Sequence, residues 1–314
     1  MQILIEKLKS LPKLVLQILA GFALFIVVIY YPVGMVWVHK VDDSLDVKVD
    51  PITQGQGSYS VAMAVALIDR EVNQHRWTPS DPFIFPGAML VRMPAFQRGI
   101  MSSVARFAIE LSDQIGRVRG SSQMDADLQK AAGLLNYSPS VWMFDLSTSW
   151  LPTASSPTQF RAGMEALNRY NERLKTGQAA FESRADNLLD TIERIASDLG
   201  SSSAALSTGI EEGSGFNFTR SADLYYNTKG RMYANYLLLR ELEKDFATVI
   251  AEKQLGTAWA QMLASLEDGM ELRNFVIFNA APDSQFLPNH LAAQGFFLMR
   301  ARTQMREISN ILLK

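Results

Sequence analysis

Two arginines one residue apart stand directly before a Gly-Ser turn, in Arg117-Val118-Arg119-Gly120-Ser121-Ser122. Paired guanidiniums offer planar, bidentate donors to a phosphate or carboxylate, and a helix N-terminus following them adds free N–H groups. Arg117 and Arg119 are therefore the candidate anion-binding residues. The same string also reads as the basic last turn of a helix, with Asp113 four residues before Arg117. Of the three histidines, His39 lies beside an apolar segment, His75 follows Asp69 and Glu71, and His290 closes Pro288-Asn289-His290. An imidazole can move protons at neutral pH. His290 is thus a candidate for acid–base work, although capping or packing is the plainer role. Glu71 and Glu110, each on an apolar-striped helix, could form a carboxylate pair for hydrolysis if the fold brought them together.

The rest of the chemical inventory is exclusion. No P-loop, nucleophile elbow, H-E-x-x-H or dinucleotide fingerprint occurs, and no second ligand accompanies a histidine at metal spacing. No metal or cofactor is expected. The chain has no cysteine, which removes disulfides, thiolate nucleophiles and cysteine-held zinc or iron. What remains of an enzyme hypothesis is carboxylate, hydroxyl or arginine chemistry, and the balance leans away from an enzyme. Val141–Leu151, by contrast, carries Trp142, Phe144 and Trp150. This aromatic segment either covers a core or forms a docking patch for a partner protein or the membrane surface. Trp142, Phe144 and Trp150 are the candidate partner-binding residues. Tyr225, Tyr226, Tyr233 and Tyr236 read as packing.

These residues must be positioned by a chain of 314 residues, 48% of them apolar and 20% charged. Leu14–Val38 contains no charge over 25 residues, 21 of them apolar, enough to cross a bilayer as one helix. Tyr30, Tyr31 and Trp37 suit the interface at its far end. Lys7, Lys9 and Lys13 precede it against Glu6 alone, whereas Asp42, Asp43, Asp46 and Asp50 follow it. The basic flank stays cytoplasmic, which predicts a single-pass inner-membrane protein with residues 1–13 inside and 14–38 in the bilayer. Residues 39–57 then form a linker, and 58–314 a periplasmic domain. Beyond residue 40 there are 26 basic and 31 acidic residues, which gives no footprint for nucleic acid.

The exported part is predicted to be mainly α. Apolar stripes mark helices from Ser58, over Ala95–Arg117, Asp125–Leu135, Leu255–Leu272 and Leu291–Leu313. Phe160, Leu167, Leu174, Phe181, Leu188 and Ile195 recur every seven residues, a coiled-coil seam. Gly177 costs about 1 kcal/mol inside it. The phase persists across that glycine, so a continuous helix of about 65 Å is favoured over a break there. Gly200–Gly215 reads as a turn, after which Tyr225, Met232, Leu239 and Phe246 form a second ladder. Arms over 158–200 and 219–253 would make a long antiparallel coiled-coil-like hairpin in a helical bundle. Most of the prolines fall in residues 79–94, 139–157 and 282–288. Those zones contain or adjoin apolar runs, and Val141–Phe144 and Phe275–Phe278 could be short strands.

Three strings carry a resemblance: Arg106–Gln123 (RFAIELSDQIGRVRGSSQ), Arg184–Ala204 (RADNLLDTIERIASDLGSSSA) and Pro288–Phe296 (PNHLAAQGF). With them the chain resembles the bacterial family labelled domain of unknown function twenty-three thirty-three, from the apolar segment to the C-terminus. The resemblance implies a Gram-negative inner-membrane protein and carries no functional residue. The resulting expectation is a non-enzymatic envelope component that binds a protein partner or a further copy of itself. The alternative is a periplasmic hydrolase or ligand-binding sensor with a polar site near Arg117, Arg119 and His290.

Overall fold

A computed structural model describes residues 12–47, 49, 57–115, 124–144, 151–213, 218–272, 274, 276–282 and 284–314. Among them the chain is mainly helical. The apolar segment forms one unbroken helix, α1, from Lys13–Phe25 through a π-type turn at Ile26–Tyr30 to Tyr31–Val38. The bundle comprises α2 (Tyr59–Asp69), α3 (Arg92–Glu110), α4 (Ala126–Leu135), α5 (Ser156–Lys175), α6 (Ala185–Glu211), α7 (Phe218–Asp245), α8 (Ala247–Glu252), α9 (Gly256–Glu271) and α10 (His290–Leu312). Local chemistry sets several starts. Ser58, Asp125 and Asn289 each accept a backbone N–H from the first turn of α2, α4 and α10.

Helix α7 is the axis of the fold, packing on α2, α3, α6, α9 and α10. It is buried on all sides rather than along one stripe, which is the pattern of a central helix. Its crossing with α3 is unusually close. A Cβ on Gly99 would run into the Asn227 carbonyl oxygen, and one on Gly230 into that of Phe96. Only glycine allows two backbones to meet this way.

Pairwise contacts fix the direction of each helix. Ser58 and Ser60 meet Asp245 while Arg70 meets Tyr233, so α2 runs antiparallel to α7. Asn227 bonds the Ala95 carbonyl and Asn235 bonds Ser103, so α3 runs parallel to it. Arg173 on Asp125, with Gly163 against Leu135, sets α4 and α5 antiparallel. Tyr225 reaches Leu272, and Gly209 meets both Leu224 and Leu291. These contacts orient α6, α9 and α10. The result is an up-and-down bundle. Loops 75–91 and 272–289, the ends of α4 and α6 and the starts of α5 and α7 lie at the end from which α1 leaves; the end of α3, the start of α4, loop 176–184 and the connection through α8 lie at the opposite end.

The long hairpin is corrected. The continuous helix over 158–200 is two helices, because Gly177 adopts φ +70° and ends the first just after Lys175. The predicted turn at Gly200–Gly215 is helical as far as Glu211. The arms find separate partners: α5 packs on α4 and α2, α6 mainly on α10, and α7 on α3. The second arm also stops, at Asp245. The heptad residues Phe160, Leu167, Leu188 and Ile195 are nonetheless buried. Seven-residue spacing reported the buried face correctly but not what covers it. No strand forms among the described residues, where Asn279 and Asn289 share one isolated bridge.

Candidate functional site

The end of the bundle beside α1 gathers the features that distinguish this molecule, beginning with how α1 is fastened. The segment after α1 is drawn onto α7. Lys229, almost fully buried, pairs with Asp43 at 2.7 Å. The Tyr233 hydroxyl donates to the Ser44 carbonyl at 2.5 Å, and Arg240 donates to that of Leu45 at 3.0 Å. Val41, Leu45, Val47 and Val49 lean on the core. Their alternation with polar residues thus marks an extended segment docked by one face. Tyr233 also accepts from Arg70 at 2.6 Å, and burial pushes its hydroxyl pKa up to about 12, so it remains protonated and able to donate.

A second network braces the loop that touches α1. Gln97 of α3 is fully buried. Its Oε1 accepts from the backbone N–H and hydroxyl of Thr78, at 3.0 and 2.8 Å. Its Nε2 donates to the Arg76 carbonyl at 3.0 Å and to Glu71 Oε2 at 3.2 Å. Glu71 is itself paired with Arg70 at 2.7 Å. Loop 75–91 is therefore held at its root. At its tip, Tyr31 donates to the Phe83 carbonyl at 2.5 Å and Tyr30 to that of Ile84 at 2.9 Å. Pro86 is packed so closely on Gly34 of α1 that a Cβ there would overlap it.

The apolar side chains of this loop point outward all the same. Phe83 is 77% exposed and Ile84 47%. Phe85 stacks edge-on against Trp142 with centroids 6.4 Å apart, and Trp142 against Phe144 at 5.4 Å. Trp142 is half-buried and Phe144 exposed. The aromatic segment thus continues the same surface. Loop 272–289 adds Leu287 and Phe286, the latter 93% exposed. Beyond α1, every large apolar side chain exposed among the described residues lies on these loops or at the start of α7, except Met124, Phe296, Met299 and Leu313.

Among the described residues, the polar candidates do not converge. Arg117, Arg119 and Trp150 lie outside the described residues. His290 Nδ1 accepts the Phe278 backbone N–H at 3.0 Å, and the ring tilts against Phe278. Burial lowers its pKa, so the neutral acceptor form prevails. His75 sits 3.8 Å from Glu71. Glu71 and Glu110 do not form a pair: Glu71 is neutralised by Arg70, while Glu110 faces Arg194 at 3.3 Å across α3 and α6. Burial raises the Glu110 pKa, with Arg194 opposing the shift. No group of three metal-ligating side chains occurs among the described residues.

Sequence reasoning did not find one cavity, of about 330 Å³, between α3, α7 and the residues following α4. Arg98, Arg106, Arg231, Ser102, Asn136 and Ser138 line it. Arg231 Nη1 donates to both carboxylate oxygens of Asp198 at 2.9 Å, and Arg98 pairs with Asp223. The three arginines come from two helices and share no sequence spacing that would announce them. No carboxylate or histidine lines the cavity. It can hold an anion but offers no acid–base pair.

Among the described residues, one helix window, Gln17–Val38, is long and apolar enough to cross a membrane, and none of it is buried in the bundle. Comparisons with curated proteins and with solved structures gave no match. A family model described as an uncharacterised protein conserved in bacteria (DUF2333) matches residues 13–217. That stretch includes two of the three resembling strings and runs from α1 through α6, and on its strength the chain belongs to this family.

Proposed function

We propose that this protein is a single-pass component of the bacterial inner membrane, with its N-terminus in the cytoplasm and its bundle in the periplasm, and that it acts by binding rather than by catalysis. The charge asymmetry across α1 supports the orientation. The observation that carries the binding role is the disposition of side chains. Groups able to do chemistry are closed into structural pairs, such as Arg70 with Glu71 and His290 with Phe278, while the anchor-side loops keep large apolar groups outside. Exposed apolar patches on folded proteins mark contacts with a partner protein or with a membrane surface. The partner on the periplasmic side is a protein or another copy of the chain. Crosslinking in native membranes followed by pull-down tests this: a discrete adduct is expected, and recovery of the monomer alone counts against the proposal.

The arginine-lined cavity favours a second reading, a ligand-binding sensor for a small anion. A hydrolase would need Arg117, Arg119 or His290 to act. If chains carrying Arg119→Ala and His290→Ala restore every phenotype of a deletion, the hydrolase fails. If Arg106→Ala leaves binding of inorganic phosphate or acetate unchanged, the sensor fails.

A further inference from the structure

We propose that the anchor-side loops are seated in the membrane itself, with Phe83, Ile84 and Phe286 inserted at the boundary between headgroups and acyl chains of the leaflet nearest the bundle. The inference rests on the reading that α1 spans the bilayer, and it names lipid as the occupant of the exposed apolar end. Depth is the first argument. Tyr30 and Tyr31 lie inside the apolar window Gln17–Val38 and bond directly to the carbonyls of Phe83 and Ile84. Tyr30 precedes Val38 by eight residues, which along a helix is about 12 Å. The tip of the loop is thus drawn back alongside the apolar helix, well short of its end. A bilayer that covers Gln17–Val38 covers the loop tip too.

Composition and hydrogen bonding fit that depth. Pro82–Leu90 contains no charged residue. The two carbonyls nearest α1 are satisfied by tyrosine hydroxyls, the condition for irregular backbone to enter an apolar medium. The charges at the root are neutralised: Asp81 pairs with Arg76 at 2.9 Å, and the Arg76 guanidinium covers the Phe85 ring at 4.4 Å. A second loop, 272–289, lies at the same end of the bundle. Tyr226, over which Arg92 stacks, bonds the Asn274 carbonyl. Arg92 opens α3 directly after the loop that touches α1, and Phe286 projects from the loop that Asn274 begins. Two loops at the end from which α1 leaves, both carrying exposed aromatic and aliphatic side chains, match a planar apolar boundary.

The absence of cysteine allows a direct test on the full chain. Single cysteines at Phe83, Phe286, Val27 of α1 and Thr257 at the opposite end of the bundle are labelled with bimane. All four positions are exposed, so the substitutions leave the packing intact. The labelled chains are reconstituted in phosphatidylethanolamine–phosphatidylglycerol vesicles containing doxyl-phosphatidylcholine. The expected result is loss of fluorescence at 27, 83 and 286, and none at 257. Quenching at 27 with either loop label unaffected overturns the inference and leaves the anchor intact. An unquenched label at 27 overturns both. Because no other protein is present, a surface that serves a protein partner gives unquenched loops.

Discussion

The loops at the two ends of the bundle dispose of their apolar side chains in opposite ways. At the end away from α1, Phe246 in the connection after α7 is 1% exposed and stacks on Phe181 from the loop after α5, with centroids 5.7 Å apart. Leu255 on the same side is fully buried. Those residues complete the core. At the anchor side, Phe83, Phe144 and Phe286 add nothing to the core, although burying such a ring is worth about 1.5–3 kcal/mol. Leaving several aromatic rings exposed at one end and none at the other, where among the described residues only Met124 and Leu313 are large, apolar and exposed, is not a packing failure, since the helices are shared. The difference teaches that the anchor-side loops meet a different medium.

The comparison breaks most visibly at Phe246. Phe246→Ala removes a ring from between two loops and is expected to cost about 3–5 kcal/mol, read as a fall in the thermal midpoint of the full chain in detergent. If the midpoint is unchanged, the far end is not the closed end described above. Next in size is the fastening of the segment after α1. Asp43→Ala leaves the Lys229 ammonium buried without its carboxylate, a loss of up to about 3 kcal/mol. Adding Lys229→Met to that chain removes the uncompensated charge and is expected to recover most of the loss. Failure of the second substitution to rescue means the ion pair is not what holds this segment.

Much of this architecture was legible in the residues. Ser58 and Asp125 announced helix starts, and most prolines marked the loops. The run Leu14–Val38 stood out by composition alone. What the pattern could not supply was partnership. The heptads of 160–195 were read as one helix because spacing is blind to backbone sign, and Gly177 turns the chain without disturbing the count. The site was hidden for a related reason. Phe83 and Phe246 are equally apolar in sequence, and only the alternation of up and down helices decides which loop emerges beside α1. The cavity arginines are also invisible locally, because Arg98, Arg106 and Arg231 meet only through the close crossing of α3 and α7.

Smaller effects come from titration. At the anchor side, His290 has its pKa held below the ordinary 6.5 by burial. A depressed pKa in a base means the folded state prefers the neutral ring. Its contribution is present above about pH 6.5 and is lost as the pH falls through the folded-state value. Glu110, toward the other end, has the reverse sign. Its raised pKa favours the protonated form, so its contribution is present below the ordinary carboxylate range and lost as the pH rises through the folded value. Mild acid is therefore expected to loosen the anchor-side end selectively. Hydrogen exchange at the Phe278 amide, corrected for intrinsic pH dependence, should accelerate on going below pH 6.5, and His290→Phe should abolish the pH dependence. Equal acceleration at both ends would remove the distinction.

The smallest expected effect is the most discriminating. Phe286→Ala deletes the same ring as Phe246→Ala, but from a side chain 93% exposed. In detergent its cost should fall within about 0.5 kcal/mol, the range of ordinary surface substitutions. The two alanine variants thus differ only in what surrounded the ring. Transfer to vesicles sharpens the contrast. An exposed phenylalanine in water gains nothing from lipid, whereas one at the bilayer boundary loses apolar contact when truncated. Phe286→Ala should therefore leave the thermal midpoint unchanged in detergent but make loop 272–289 more open to proteolysis in vesicles. Phe246→Ala should lower the midpoint in both. A midpoint loss for Phe286→Ala in detergent would place its ring inside the fold and erase the difference between the two ends.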